Sequence, residues 1–349
     1  MKPFSAPTIA VATAATALVL ASGMAHAADS SVTISGVIDM TVGSFQDAGN
    51  PKLTRVESGK QTTSYIGFRG TEDLGSGLSA VFTLESFLQA DNGGGGRYLG
   101  PTTTDAFWSR AANVGLAGDF GTVRLGRQST PFFFSVLLFN AFGSSTQISP
   151  VIRQVFTPNR LALPFYGDTG WNNAVQWSSK RYNGFSVNLM GNLGEGATNA
   201  YGRNIGGDIV YFGQPFSGTV AYQKVKNGVN GAPAGFRDQE SWNVGGVYDL
   251  KFMKFYAQYT DVQTHALAET STKVSTLGVA VPVGRGKLLA QYANGDLQYA
   301  IAKGKARTLT VGAEYELSKR AVLYGFAMND KLTGRSNGNT LAGGLRLSF

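Results

Sequence analysis

The sequence predicts an all-β protein, a transmembrane antiparallel β-barrel of about sixteen strands, and three observations carry that expectation. Apolar and polar residues alternate with period two from residue 31 onwards, in segments of about ten residues, which is the length of a tilted strand crossing a bilayer. The connections between these segments are short and long in strict turn. The composition joins 46 Gly to 22 Phe and 14 Tyr, and after the first residues no run of about 18 apolar residues occurs, so helical membrane spans are excluded.

The N-terminal residues read as a leader. Lys2 supplies a positive charge, Thr8 to Ala21 form an uncharged apolar stretch, and Ala25-His26-Ala27 is a small-x-small cleavage site. This is the layout of a secretory signal peptide over residues 1–27, with an uncleaved anchor as the alternative. Residues 28–349 then form a single barrel domain. The chain has no cysteine, so stability in an oxidising compartment must come from sheet closure, and thiolate metal sites and cysteine nucleophiles are absent. The formal charge is +8, Lys2 included, but no Lys/Arg run exceeds two residues. Nucleic-acid binding is therefore not expected, while anionic lipids and anionic solutes fit the charge.

The strands follow from the alternation. In Thr308–Leu317 the residues Leu309, Val311, Ala313, Tyr315 and Leu317 share one face; Thr308, Thr310, Gly312, Glu314 and Glu316 share the other. Ser241–Leu250 and Phe185–Met190 repeat the pattern. Seven short turns fall at 72–77, 118–121, 182–184, 213–215, 250–251, 283–286 and 317–320. Eight long loops fall at 44–60, 89–105, 130–172, 194–203, 227–240, 263–272, 297–305 and 331–338. Together they give sixteen strands with both ends of the domain at the short-turn side, and a bilayer requires the sheet to close. A belt of rings is expected where the apolar faces end, at Trp177, Phe185, Tyr211, Phe216, Tyr222, Trp242, Tyr259, Tyr292, Tyr315 and Tyr324. Leu341, Leu345, Leu347 and Phe349 share a face of the last strand.

Three stretches carry a family resemblance: Ser31-Val-Thr-Ile-Ser-Gly-Val-Ile-Asp-Met40, Tyr65-Ile-Gly-Phe-Arg-Gly-Thr-Glu-Asp-Leu-Gly-Ser-Gly-Leu78, and Val114-Gly-Leu-Ala-Gly-Asp-Phe-Gly-Thr-Val-Arg-Leu-Gly-Arg-Gln128. With them the chain resembles the general porins of Gram-negative bacteria, β-proteobacterial branch, over essentially its whole length. The resemblance implies an outer-membrane homotrimer of sixteen-stranded barrels that passes small polar solutes. It implies a third loop folded inward, wall arginines facing loop acids, and an outward arginine in a subunit contact. Phe349 resembles the terminal aromatic recognised by the barrel assembly machinery.

Residues 130–172 suit the inward loop by length. Phe132, Phe133, Phe134, Leu137, Leu138, Phe139 and Phe142 need cover, either from the barrel wall or from a neighbouring subunit; alternation does not orient Phe132–Phe134. Strand parity assigns Arg69, Glu85 and Arg124 to the lumen, and Arg110 matches a wall arginine of the family. Tyr65 and Gln176 stand where enterobacterial members carry further wall arginines. From Phe120 to Gly167 there is no acid, and the charges are Arg124, Arg127, Arg153 and Arg160. A basic constriction with anion preference is expected, with Arg153 and Arg160 on the narrowing loop. Arg127 has outward parity and is assigned to the rim or to a subunit contact, where the resemblance implies an acid of a neighbour's second loop, Asp91 or Asp105, as its partner.

Other chemistry is weakly supported. Gly93–Gly96 precedes no helical pattern, and Gly284-Arg-Gly-Lys287 lacks the first Gly and the Ser/Thr of a phosphate-binding loop. Beyond the leader the chain has one histidine, His265, so catalysis, a metal site and a cofactor are not expected. A diffusion channel, a substrate-specific channel with its site on the third loop, and a barrel-anchored surface protein remain as readings of the residues, and the first is preferred.

Overall fold

In a computed structural model, residues 30–97, 105–157, 164–194, 203–226 and 233–349 are described; the leader 1–27 lies outside them. The strands are β1 (Ser31–Phe45), β2 (Leu53–Ser58), β3 (Tyr65–Gly75), β4 (Leu78–Gln89), β5 (Gly94–Gly95), β6 (Ala111–Gly118), β7 (Gly121–Ser129), β8 (Gly170–Ser178), β9 (Phe185–Asn192), β10 (Ile205–Phe212), β11 (Phe216–Lys226), β12 (Asp238–Asp249), β13 (Lys254–His265), β14 (Thr270–Val283), β15 (Gly286–Gln298), β16 (Lys303–Glu316), β17 (Ala321–Leu332) and β18 (Gly338–Ser348). Two helices, α1 (Pro131–Leu138) and α2 (Pro150–Phe156), lie between β7 and β8.

Neighbours in sequence pair antiparallel, and β1 pairs with β18 on one edge and with β3 and β2 on the other, so the sheet closes. β2 and β3 are two halves of one stave, and β5 is a two-residue hairpin on a loop, which leaves a closed barrel of sixteen staves. Closure follows from the membrane, because an open edge facing lipid would strand backbone donors and acceptors. The last bond pair joins Phe349 to Gly36 in both directions at 3.1 Å, and the Phe349 ring occupies the space a Cβ at Gly36 would need.

The parity read from the sequence matches the wall. Leu309, Val311 and Tyr315 are exposed outward, whereas Thr308 and Thr310 are buried inward. The seven short turns fall in the predicted places. At one of them, Asn183 and Gly184 both take positive φ, as a two-residue hairpin turn requires. Tyr324 departs from the expectation: its parity is luminal, it is buried, and its hydroxyl donates to Asp39 at 2.5 Å. One residue of alternation separates it from the outward Leu323.

Several loops are shorter than expected, because the ladders continue past the apolar band. Residues 53–58 of the first loop form β2, and the connections after β13, β15 and β17 shrink to 266–269, 299–302 and 333–337. Between β2 and β3 the stave breaks. Ser58 faces Met40 and Tyr65 faces Val37, so residues 59–64 exceed what β1 can pair and are thrust into the lumen.

Candidate pore constriction

The third loop is folded inward, and it is more ordered than a loop. Thr130 caps α1 by accepting from the Phe133 N–H at 3.1 Å, and Pro131 opens the first turn, where its missing donor costs nothing. α2 opens likewise on Pro150. β8 resumes at Gly170, two residues before the expected end of the loop. The aromatic cluster is now oriented. Phe132 is fully buried and stacks on Phe165 at 5.5 Å; Phe133 and Phe165 meet Phe156 edge-on at 5.1 and 4.8 Å; Phe134 is exposed.

The wall is built to receive this loop. Gly245, Gly278 and Gly312 face inward where Phe139, Ala141 and Phe142 pack, and side chains there would crowd them. Amide and hydroxyl side chains from the wall satisfy loop carbonyls. Gln258 donates to Phe139 O at 2.6 Å and Val136 O at 3.1 Å, and Thr310 donates to Ile148 O at 2.9 Å. In return Gln154 of α2 donates to Ala293 O at 3.0 Å and Ala306 O at 3.2 Å. Buried backbone groups need such partners, so the polar inner face of β12–β16 is the seat of the loop as well as a channel lining.

The inserted residues 59–64 form a second inward element. The Asp39 carboxylate accepts the N–H of Gln61 at 2.6 Å and of Thr62 at 2.7 Å, and Gln61 reaches across to Glu314 at 2.6 Å. The insert meets the third loop directly: Thr62 with Ser144 at 2.9 Å, Thr63 with Thr146 at 3.1 Å, and Ser145 Oγ donating to Lys60 O at 3.1 Å. Loop and insert together cover the walls of β9–β18. The lumen faces of β3, β4, β6 and β7 stay open opposite them.

That open face holds the predicted wall charges. Glu85 is buried and lies between two guanidiniums: Arg69 donates to it at 3.0 and 2.6 Å, and Arg110 at 2.7 Å. Gly67, the register partner of Glu85, leaves room for its side chain. Arg110 also lies over the Tyr65 ring at 4.2 Å, so the tyrosine supports a cation rather than replacing one. Arg124 faces the lumen beside Gly115 and in register with Gln176, whose amide donates to Ser178 at 3.4 Å. Arg69, Arg110 and Arg124 thus share this wall with Glu85.

One predicted position needs correction, and one falls outside. Arg153 does not line the open path. It is 4% exposed and pairs with Asp47 of the first loop, with Asp330 of β17 4.0 Å away. Acids remote in sequence therefore do oppose the loop, which local composition cannot reveal. Arg127 is satisfied within its own chain, donating to Ser109 O at 2.5 Å and Asn172 Oδ1 at 2.7 Å, beside a bulge at Gly126–Gln128. Asp105, one of the two acids suggested as its partner in a neighbour, pairs with Arg97 within its own chain. Arg160 lies outside the described residues.

Between insert, third loop and wall is a cleft of about 290 Å³ lined by Arg55, Lys60, Arg97, Arg110 and Arg127 among others, with Asp47, Glu57 and Asp91 as its acids. Lys60 and Arg55 both pair with Glu57. At the rim, Arg97 ties the second loop to the end of the third through Asp105 at 3.2 Å and Asp168 at 2.6 Å. Burial would raise both carboxyls, but the hydrogen bonds and charge of Arg97 outweigh it and hold them below the usual range. Sequence reading missed Asp39, Lys60 and Arg97. Asp39 did carry a signal, as a lone acid at an inward position of an otherwise uncharged strand. Asp238, Glu240 and His265 gather at the end of β12 and β13, but the Lys224 ammonium bonds Glu240 at 2.6 Å and Asp238 at 3.2 Å, so the group is occupied by a cation of the chain itself.

Comparison with known proteins extends these observations. A family model described as Gram-negative porin matches residues 14–335. The outer membrane porin protein 32 of Delftia acidovorans is 32% identical over 317 residues, covering 88% of this chain and 86% of the relative. An outer membrane porin protein of Bordetella pertussis is 26% identical, over 89% and 92% of the two chains. Among solved structures, an anion-selective porin from Comamonas acidovorans superposes with a TM-score of 0.77 and 26% identity, over 92% of this chain and 100% of the other.

Proposed function

This chain belongs to the Gram-negative porin family and is an outer-membrane channel protein, and on that premise we propose that small hydrophilic solutes and ions diffuse passively through its lumen, anions preferentially. The charge of the open wall carries this reading. On the open wall Arg69 and Arg110 share the acid Glu85, and Arg124 lies on the same face, so the cations outnumber that acid. A ring of like charge between low-dielectric walls enriches counter-ions. The similar structure from Comamonas acidovorans is itself called anion-selective. Phe132 stacks on Phe165 and Phe156 meets Phe165 edge-on, so these rings of the third loop are engaged with one another, which supports general diffusion over a sugar-stacking site. Catalysis forms no part of the proposal. The test is the reversal potential of the purified channel in a planar bilayer under a salt gradient; clear cation selectivity would defeat the reading.

The proposal includes cleavage after Ala27, checked by N-terminal sequencing of the protein from outer membranes. It includes a homotrimer, checked by light scattering in mild detergent. Phe107, 75% exposed, packs edge-on to Trp108, and Trp108 to the outward Phe68, which gives the barrel an exposed aromatic face suited to a neighbouring copy. It also includes recognition of the last strand, ending at Phe349, by the barrel assembly machinery.

A further inference from the structure

The cleft between insert, third loop and wall has two unlike sides. Arg97, Arg110 and Arg127 stand on one, and the acids that hold the first two, Asp105, Asp168 and Glu85, are not part of its lining. Phe133, Ile152 and Phe156 of the third loop stand on the other, and Phe156 is only half-buried. Of the acids in the lining, Glu57 is held by Arg55 and Lys60, Asp47 by Arg153, and Asp91 acts on Lys60.

Two of these guanidiniums are tethered and still have nitrogens to offer. Arg110 bonds Glu85 through Nε at 2.7 Å, and among the described residues its two terminal nitrogens meet no acceptor. Arg127 bonds Ser109 O through Nε at 2.5 Å and Asn172 through one terminal nitrogen at 2.7 Å, which leaves the other. The Arg110 and Arg97 guanidiniums lie 5.6 and 5.8 Å from the centre of the buried Phe87 ring, so one ring carries both. Anchoring of this kind lowers the ordering cost of binding an anion, and a planar fork suits a carboxylate. A small inorganic anion would use the cations and leave the rings of the loop facing water. A carboxylate with a compact apolar body would use both sides, because contact with Phe156 takes apolar surface out of water. The volume, about 290 Å³, is at the lower end of ligand-sized pockets and limits that body to about one ring.

We propose that the cleft is a low-affinity subsite for organic monocarboxylates with an apolar body, the carboxylate on Arg110 beside Arg127 and the body against Phe156. This names a solute class for the channel and rests on the proposed anion preference.

The test is block of chloride current through the whole channel in a planar bilayer, titrated with benzoate, acetate, glucuronate and the uncharged benzamide. Benzoate should half-block at roughly one tenth of the acetate concentration, about 1.4 kcal/mol. Benzamide and glucuronate should both be weaker than benzoate. Arg110→Gln should weaken benzoate and acetate together, roughly tenfold. Phe156→Ala should lower the benzoate-to-acetate ratio roughly threefold. Heat-modifiable mobility on gels certifies that each variant is a folded barrel. The inference is overturned if benzoate and acetate block the wild type equally, if glucuronate or benzamide matches benzoate, or if Phe156→Ala leaves the ratio unmoved. A wild type that selects cations defeats the reading of function and this subsite with it; an anion-selective channel with a ratio of one defeats the subsite alone.

Discussion

Neutralising Arg110 tests the assignment of selectivity to the open wall. Arg110→Gln removes one of the two guanidiniums that bond Glu85, and Glu85 retains Arg69 at 3.0 and 2.6 Å. A monovalent ion passing about 6 Å from the guanidinium in water-like dielectric interacts with it by about 0.7 kcal/mol. Screening with a Debye length of about 8 Å roughly halves this. The sign reverses between anion and cation, so their difference is again about 0.7 kcal/mol, or roughly threefold in permeability ratio. The reversal potential under a salt gradient should therefore move towards cations, more so at low ionic strength. Glu85→Gln should move it by a similar amount towards anions. If Arg110→Gln leaves the potential unmoved, or if both substitutions shift it in the same direction, this wall does not set selectivity.

Arg153→Gln strips a buried partner from Asp330, which is 1% exposed, and should cost about 3 kcal/mol; a lower thermal midpoint and noisier open-channel current check it. Asp39→Asn weakens the anchor that holds residues 59–64 in the lumen, so conductance should rise, measured by single-channel recording; unchanged conductance would mean the insert does not narrow the path. The Arg97 tie should depend on pH in one direction: the Asp105 and Asp168 carboxyls are depressed when folded, so their contribution is fully present above the unfolded value of about 4 and is lost as pH falls below it. Loop proteolysis should thus be flat from about pH 5 to 8 and increase only in stronger acid. Replacing Phe349 with Asp should impair insertion while sparing export, read from fractionated membranes, because it removes the ring that packs over Gly36 at the seam where the barrel closes.

The barrel itself is legible in the order of residues. Period-two alternation has only two phases, so outward and inward faces can be assigned strand by strand, and Arg69 and Glu85, two positions read onto one face, do meet there. The turns are legible because chain reversal demands particular residues, as at Asn183-Gly184. What crosses the lumen is settled only when the strands have come together. Arg153 looks unopposed in a stretch without acids, yet its partners Asp47 and Asp330 lie 106 and 177 positions away in the chain and meet it only once the sheet has closed. Local patterning leaves the insert at 59–64 looking like the end of an ordinary loop, because nothing nearby says that β1 pairs both before and after it. Alternation reports which face a side chain leaves by. It carries no information about which distant segment has been folded against that face, and the constriction is made of such meetings.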